Sequence, residues 1–354
     1  MDAAFADVAH GRTAELGRQS ADFTEFDGYA PAAGAALDPC KPETVYSVTE
    51  LEGAAGCPFR FFLKRGLGLR PVDERERDKD VWLDPLTRGS ELHDIYAALL
   101  RRTRDANRRP NKADGVWLRE LAQHRLAALN EEMPAATAEI LERESKEFLA
   151  DVELFFDAES ATSKSTPIGF EVSFGRPLDD DEAEPLARAE PVEVDLGQGI
   201  TFRIAGRIDR IDQLGDSSFE VLDYKTGGFW RDSWKGTFDG GRRLQHALYG
   251  LAAVEMLKTR VKNPKVEGGV YYFSSRKGRQ ERVRIKAPTR AVIAQVLGDL
   301  RDLIIKGQFV RTPDQDNCRY CDYAAACGGN VNKQADAKLQ DSRLDVYRRL
   351  AAHV

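Results

Sequence analysis

The sequence lacks several features that would place it quickly in a class of protein. Its 354 residues include only five cysteines, too few and too unevenly spaced for a disulfide scaffold. No apolar run approaches the length of a membrane span, and the N-terminus lacks the charged-then-apolar layout of a signal peptide. These absences favour a cytoplasmic protein without a membrane partner.

Two further absences concern nucleotides and nucleic acids. The chain contains no Gly-x-x-x-x-Gly-Lys-Ser/Thr loop, so it does not encode a P-loop ATPase. Its 58 acidic residues outnumber its 52 basic residues, and the formal charge of −6 is not that of a strongly basic nucleic-acid binder. Any contact with DNA must therefore come from local basic patches.

The chain has enough apolar residues for a large buried core. Hydrophobic residues make up 42% of it, which predicts one large domain or two smaller ones. Residues 1–45 show weak periodicity and are expected to form a lead-in that is poorly ordered or packed on a partner. Ser47 and Glu50 have the spacing of a capping box, which predicts that a helix begins there.

The apolar pattern changes along the chain from helical to strand-like. Helical periodicity covers about 87–108, 115–130 and 135–159. From about residue 168 the period is two, which indicates successive strands, and residues 215–218 have the composition of a hairpin turn.

Helices and strands alternate again towards the C-terminus. The pattern predicts helices over about 242–258 and 289–306, and strands around 268–274 and 280–286. We therefore expect an α/β or α+β fold in which helices flank a sheet, with a helical insertion over about 95–160.

The sequence "EVLDYKTGG" places Asp223 and Lys225 at the end of a predicted strand. Their side chains share a face because strand side chains alternate. The pair has two interpretations: a surface ion pair worth less than about 1 kcal/mol, or part of a metal-dependent phosphodiesterase site.

A second carboxylate strengthens the metal interpretation. Asp209 lies in the preceding strand, and a short turn between antiparallel strands would bring it close to Asp223. Two adjacent carboxylates repel each other unless a cation lies between them, and Mg²⁺ or Mn²⁺ prefers such oxygen ligands. Lys225 would then orient an attacking water and stabilise charge on a phosphate.

Three more side chains extend this constellation. His93 follows Gly89 at a predicted helix start, and a neutral imidazole can complete a metal shell, although a lone histidine is often structural. Gln245 and Tyr249 are spaced i, i+4 and so project from one helical face; a partly buried polar pair is the alternative.

The motifs around His93, "GRIDRID", "DYKTG" and "LQHALYG" occur in the order found in RecB-type PD-(D/E)XK nucleases, which this chain resembles over about residues 46–330. The resemblance implies a restriction-endonuclease-like α/β fold with a central mixed sheet. It also implies metal-binding and catalytic roles for Asp209 and Asp223, with Lys225 as the catalytic lysine. The other implied assignments are His93 as a ligand, the backbone carbonyl of Tyr224 as a ligand, Gln245 and Tyr249 as active-site and DNA-positioning residues, and Glu171 as an acidic site residue.

The cysteines near the C-terminus form a C-x₂-C-x₅-C triplet, Cys318, Cys321 and Cys327. Cys57 is the natural fourth member, and both zinc and iron–sulfur clusters accept four thiolates. Three unrelated buried cysteines are the alternative. Cys40 is left over as a free thiol.

The position of these cysteines resembles the iron–sulfur nuclease domain of AddB-type helicase–nuclease subunits and of CRISPR-associated exonucleases. There one cysteine precedes the core and three follow it around a [4Fe–4S] cluster, which favours a cluster over zinc. A link from Cys57 to the Cys318 region would close a long loop, worth about 4–5 kcal/mol in the chain-entropy model. We expect a structural staple without redox chemistry, followed by a helical tail over 331–354.

Basic residues cluster locally despite the acidic total. The run 101–112 carries six of them and is either a solvated face or a DNA contact, and "FRFFLKR" adds a second basic patch at Arg60, Lys64 and Arg65. Arg242 and Arg243 directly precede Gln245 and are predicted to contact backbone phosphates.

Taken with the resemblance, the motifs predict a metal-dependent DNA exonuclease domain of the helicase–nuclease type used in double-strand-break repair. Its partners would be DNA, as single strands or duplex ends, and a helicase subunit or preceding helicase-like domain. A stand-alone exonuclease of the CRISPR-associated type and a catalytically silent DNA-end-binding module are the alternatives.

Overall fold

A computed structural model describes residues 6–71, 79–161, 164–178, 184–197, 199–319 and 321–354. Within these ranges the strands form one mixed sheet. The strands are β1 (Tyr46–Ser47), β2 (Thr166–Phe174), β3 (Val192–Asp195), β4 (Thr201–Gln213), β5 (Ser218–Tyr224), β6 (Lys265–Tyr272) and β7 (Arg282–Lys286).

Helices surround this sheet and precede and follow it in the chain. They are α1 (Ala6–Gln19), α2 (Pro31–Ala36), α3 (Val48–Gly56), α4 (Pro58–Phe61), α5 (Pro85–Asp105), α6 (Lys112–Glu132), α7 (Ala138–Ala161), α8 (Gln245–Leu257), α9 (Arg290–Ile305), α10 (Asp316–Arg319), α11 (Ala324–Cys327), α12 (Val331–Lys338) and α13 (Asp345–Ala351). Among the described residues no helix is both long and apolar enough to cross a membrane.

The long strand β4 organises the sheet. It pairs with β2, β3 and β5 in antiparallel fashion and with β1 in parallel. Strand β6 runs parallel to β5, and α8 provides the crossover that a parallel pair requires. The β4–β5 connection is the predicted tight turn, closed by a hydrogen bond from Leu214 N to Ser218 O of 2.8 Å.

Apolar side chains fill both faces of the sheet. On one face α3, α8 and α9 pack against β4 and β5 through a large buried cluster that includes Leu51, Ile208, Leu248 and Leu300. On the other, α5, α6 and α7 pack through a second cluster that includes Tyr96 and Phe155. Helices on both faces of a mixed sheet confirm the predicted α/β fold class.

Helix boundaries agree with the predicted ones to within a few residues. Helix α5 begins at Pro85, slightly before the predicted start, because Asp84 caps it by accepting from Leu86 N at 2.9 Å and Thr87 N at 3.2 Å. Helix α3 begins with the predicted capping box: Ser47 Oγ accepts from Glu50 N at 3.1 Å and Glu50 Oε2 accepts from Ser47 N at 2.9 Å.

The described part of the lead-in packs against the C-terminal third of the same chain. Phe23 is fully buried with Val310 and Leu344. The Asp38 carboxylate forms two hydrogen bonds of 2.8 Å with Arg301 on α9. These contacts attach the chain before β1 to the helix and tail that follow the sheet.

Candidate active site

Three metal-ligating side chains converge where α5 meets the sheet. His93 lies on α5, Glu171 on β2 and Asp209 on β4, and one ligand atom from each lies within 4.8 Å of the others. His93 Nδ1 is 3.5 Å from Glu171 Oε1 and 3.6 Å from Asp209 Oδ2. Residues far apart in sequence therefore form one mixed nitrogen and oxygen donor set.

The strand register explains why these carboxylates meet. Phe170 pairs with Arg210 and Val172 with Ile208, so Glu171 lies opposite Asp209. Glu171 has φ of +50°, which is uncommon for a residue other than glycine and is found most often at functional sites. Its Oε1 is buried and accepts no hydrogen bond from the described residues, as expected of an oxygen available to a cation.

The predicted hairpin places a third carboxylate beside this group. Arg210 pairs with Leu222, so the next step of the register brings Asp209 opposite Asp223. Asp223 Oδ2 lies 2.6 Å from Lys225 Nζ. We refer to His93, Glu171, Asp209 and Asp223 as the carboxylate centre.

Crowded buried charges shift the pKa values in the carboxylate centre. Burial raises the pKa of Asp209 to about 7; Asp223 and Glu171 also raise it, and His93 opposes them. Burial alone would lower the pKa of His93, but Asp209, Glu171 and Asp223 outweigh it and raise the value to about 9. The imidazolium thus offsets the carboxylates, and a bound cation would have to replace its proton.

Lys225 is held as a cation at the edge of the centre. Burial favours the neutral amine, but the adjacent Asp223 outweighs burial and raises the pKa of Lys225. Its Nζ also donates to Gln245 Oε1 at 3.2 Å. The ammonium therefore has a fixed position and keeps its charge at neutral pH.

Helix α8 brings both of its predicted residues to the site. Gln245 is its first residue, and Tyr249 lies one turn later with its ring edge-on to Phe174 at 6.1 Å between centroids. Burial raises the pKa of Tyr249, and the negative charges of Asp223 and Asp209 raise it further, so the phenol stays neutral. The i, i+4 spacing thus places both side chains close to the carboxylate centre.

The sequence analysis did not identify Glu52 on α3 as part of this site. Its Oε1 accepts from Leu244 N at 2.6 Å and Gln245 N at 3.1 Å, and burial raises its pKa to about 7. Glu52 therefore caps the start of α8 next to Gln245. One feature of the sequence could have indicated this role. The spacing of Glu52 from the buried Val48 and Leu51 places an acidic residue on the apolar face of α3.

Tyr224 contributes to the site through both its backbone and its ring. Its N–H donates to Asp209 Oδ2 at 2.8 Å, and its ring packs edge-on against His93 at 5.4 Å. The predicted role of its carbonyl as a metal ligand remains a prediction. The Tyr224 hydroxyl accepts from Arg210 Nη1 at 3.3 Å, which ties the ring to the interior.

A buried ion cluster lies beneath Tyr224. The fully buried Arg210 pairs with Asp212 at 2.5 Å and with Glu159 on α7 at 2.9 Å. Charges this deeply buried are tolerated only when they are paired and hydrogen-bonded. Asp209 and Asp212 of "GRIDRID" thus face different surroundings: the metal-ligating group for Asp209 and this internal cluster for Asp212.

The four predicted cysteines, which we call the cysteine centre, lie on segments before and after the sheet domain. Cys57 is buried between α3 and α4, and Cys318, Cys321 and Cys327 lie in and around α10 and α11. Burial chiefly raises the pKa of Cys327, and Cys57, Cys321 and Cys318 raise it further. Among the described residues, the group of ligand atoms found within 4.8 Å of one another is the one at His93, so the four-thiolate site remains a prediction.

Polar groups also surround the sulfurs of the cysteine centre. Asn332 Nδ2 donates to Cys318 Sγ at 3.3 Å. Burial raises the pKa of Cys57, and the backbone N–H groups of Arg60 and Thr312 oppose that rise. The leftover Cys40 lies elsewhere, near Asp38 and Arg301.

The predicted phosphate-binding arginines before α8 make contacts inside the fold. The buried Arg243 donates to the carbonyl of Ser233 at 2.9 Å and stacks on Trp234 at 4.3 Å. Arg242 pairs with Asp239 at 2.9 Å and Asp314 at 2.8 Å. Both residues thus support the segments around the start of α8, and their contact with DNA remains a prediction.

Most of the charge in the basic run 101–112 is compensated within the chain. Arg101 and Arg104 pair with Glu184 at 2.7 and 2.6 Å, and Asp114 pairs with Arg102 at 3.0 Å and with Arg108 at 2.5 Å. These contacts join α5 to its neighbours and leave less of the charge available for a phosphate.

Comparisons with known proteins agree with this geometry. Residues 45–328 match the family model described as the PD-(D/E)XK nuclease superfamily. Similar proteins include an ATP-dependent helicase/deoxyribonuclease subunit of Moorella thermoacetica, 26% identical over 258 residues that cover 68% of this chain and 21% of that protein. The corresponding protein of Staphylococcus saprophyticus, which has the same name, is 32% identical over 221 residues, 58% of this chain and 17% of that protein.

The chain therefore spans about a fifth of the length of these relatives. The predicted resemblance to AddB-type subunits is confirmed as homology to proteins of this name. The family match covers most of the chain and contains the whole carboxylate centre. The chain belongs to the PD-(D/E)XK nuclease superfamily.

Proposed function

We propose that this chain is a metal-dependent deoxyribonuclease module, an exonuclease that acts with a helicase on broken DNA ends. The observation that carries the proposal is the convergence of His93, Glu171 and Asp209 beside the Asp223–Lys225 pair. An isolated surface ion pair would not need this additional buried set of ligand atoms.

The carboxylate centre would hold Mg²⁺ or Mn²⁺. Its oxygen-rich donors suit these hard cations, and the carbonyl of Tyr224 would add a further oxygen. When bound, such an ion polarises the phosphate and lowers the pKa of an attacking water. The buried Oε1 of Glu171 supports this assignment, because its nearest cationic partner is the His93 imidazolium at 3.5 Å, whose proton a metal ion would replace.

Lys225 would stabilise negative charge rather than remove a proton. Its pKa is raised and its ammonium is fixed between Asp223 and Gln245, so it remains a cation close to the proposed phosphate position. A preorganised positive charge in a partly desolvated site stabilises the charge that develops on phosphate and orients the water.

Gln245 and Tyr249 would position the reacting groups. Gln245 fixes Lys225 by accepting its hydrogen bond, and Tyr249 supplies a neutral phenol at the same face of α8. Glu52 in turn holds the first turn of α8 in place through the backbone of Gln245.

We assign a [4Fe–4S] cluster to the cysteine centre as a structural staple. The C-x₂-C-x₅-C spacing after the sheet domain and the buried Cys57 before it support a four-thiolate site. The choice of a cluster over zinc rests on the resemblance to iron–sulfur nucleases.

The relatives named as helicase/deoxyribonuclease subunits suggest the setting of this activity. This chain carries no P-loop motif, so we assign the ATP-driven movement along DNA to a partner subunit or another domain.

End-labelled linear DNA with Mg²⁺ or Mn²⁺ tests the nuclease proposal. Wild-type protein should shorten the DNA from its ends, while Asp223→Ala should lose this activity because Lys225 loses its charge partner and the centre loses a carboxylate. Equal, negligible cleavage by both proteins would instead indicate a DNA-end-binding module. Iron and zinc analysis with visible absorbance on anaerobically purified protein tests the cluster separately.

A further inference from the structure

A cavity of about 520 Å³ lies between the first helices and the cysteine-bearing tail. Four cationic side chains line it: Arg60, Lys64, Arg65 and Arg176, which we call the basic groove. Two carboxylates, Glu50 and Asp322, also line it, so cations outnumber anions there.

Three of the four cations in the basic groove are not neutralised by the described part of the chain. Arg65 lies 3.6 Å from Glu50, whereas Arg60, Lys64 and Arg176 form no ion pair with any described carboxylate. Glu50 is partly occupied by its capping hydrogen bond from Ser47 N, 2.9 Å long. This pattern contrasts with the run 101–112, where Glu184 and Asp114 neutralise most of the arginines.

The basic groove adjoins the carboxylate centre through two elements. Arg176 lies two residues after the end of β2, the strand that carries Glu171. Gly53 of α3 also lines the cavity, directly after Glu52, which holds the start of α8. A Cβ at Gly53 would meet no atom within 4 Å, so the helix surface there is open.

We infer that the basic groove binds the backbone phosphates of a single DNA strand next to the bond that is cleaved. Unpaired arginines and a lysine along one cavity provide the sequence-independent contacts that phosphates require. Tyr323 lines the same cavity, and its hydroxyl donates to Leu69 O at 2.9 Å, which fixes the ring where a base could stack.

The size of the cavity favours one strand over two. Its volume is that of a site for a drug-sized ligand, which suits one or two nucleotides. A strand in the basic groove would run from the cysteine-bearing tail across α3 towards Tyr249.

This inference rests on the proposed nuclease function but is tested by binding rather than cleavage. The affinity for a fluorescent single-stranded oligonucleotide is measured by anisotropy at several salt concentrations, with EDTA present so that no cleavage occurs. The double variant Arg60→Gln, Arg176→Gln should reduce the slope of log affinity against log salt by about 1.4, because each lost phosphate contact on a single strand contributes about 0.7.

Arg109→Gln is the matched control, because it removes an exposed arginine from the run 101–112. It should leave the slope unchanged, and thermal unfolding should show that all variants remain folded. An unchanged slope for the double variant, or an equal loss for Arg109→Gln, would overturn the assignment of the groove. A loss seen only with blunt duplex DNA would overturn its single-strand preference.

Failure of the groove and failure of the nuclease proposal give different results. If wild-type protein cleaves DNA with Mg²⁺ but the double variant binds with the wild-type salt slope, the nuclease proposal stands and the basic groove is wrong. If the slope falls as expected while wild-type protein cleaves nothing, the groove stands and the nuclease proposal is wrong.

Discussion

The carboxylate centre and the cysteine centre differ in almost every physical respect. The first gathers hard oxygen donors on neighbouring strands, includes a residue with positive φ, and buries several carboxylates close to one another. The second consists of four cysteines on segments before and after the sheet domain, and Asn332 donates a hydrogen bond to one of them, Cys318.

The difference is the one expected if the two proposed metal sites have separate uses. Crowded carboxylates repel one another and destabilise the site when no metal ion is bound. Such an arrangement is expected where the charge of the ion is needed for chemistry. Thiolates joined across a long stretch of chain instead restrict the unfolded state, which is the arrangement expected of a staple. Variants in the two centres should therefore fail in different ways.

The largest expected effect is on cleavage by Asp209→Asn. Loss of a carboxylate from the proposed metal site should lower the cleavage rate by about 10³-fold, the order seen when a principal electrostatic group is removed. Stability should be equal or greater, because the pKa of Asp209 is raised by burial and the neutral amide removes that buried charge.

Cleavage rates and thermal unfolding of Asp209→Asn are compared with those of Asp216→Asn, an exposed aspartate in the β4–β5 turn. The control should match wild type in both measurements. If the Asp209→Asn protein unfolds readily but cleaves at the wild-type rate per folded molecule, the role of this carboxylate is structural.

The next largest effect is on stability, from Cys321→Ser. Loss of one proposed cluster ligand should lower the free energy of unfolding by up to about 4–5 kcal/mol, since the closed loop spans the sheet domain. Cleavage should fall only as far as the folded fraction falls, because no redox step is assigned to the cysteine centre.

Denaturant unfolding under anaerobic conditions measures this effect, with Cys40→Ser as the matched control at the cysteine that lies outside the centre. A stable Cys321→Ser protein with normal cleavage would show that the cysteines do not act as a staple.

The sequence predicted the parts of the carboxylate centre that depend on local pattern. Strand alternation and the short turn were sufficient to bring Asp209 opposite Asp223, and helical spacing was sufficient to place Gln245 and Tyr249 together. Each of these inferences requires only the residue periodicity of one strand or helix and the position of a nearby turn.

Contacts between distant segments were harder to predict. Glu171 received only a loose assignment, because its role depends on a strand pairing with β4 and a local φ of +50° that no sequence period reveals. The compensation of the run 101–112 depends on Glu184, which lies about eighty residues away. Charge runs alone do not show where their counter-ions lie.

Helix α3 connects the two centres. Its Glu52 holds the start of α8 beside the carboxylate centre, and Cys57 follows its last residue. A change in the cysteine centre therefore has a short structural route to Gln245 and Lys225. How firmly α3 is packed against the site is a measurable quantity.

The smallest expected effect tests that packing through the pH dependence of Glu52. Burial raises its pKa from 4.5 to about 7, so its contribution to stability is fully present below about pH 4.5 and is lost as the pH rises through about 7. Glu52→Gln cannot ionise, so its stability relative to wild type should increase between about pH 5 and 7, by at most about 1.4 kcal/mol per pH unit.

Denaturant unfolding in EDTA across this range, with the exposed Glu43→Gln as control, measures the difference. If the free energies of unfolding of wild type and Glu52→Gln change with pH in parallel, the Glu52 carboxylate ionises without a cost to stability. In that case α3 is not packed tightly against the carboxylate centre and does not couple it to the cysteine centre.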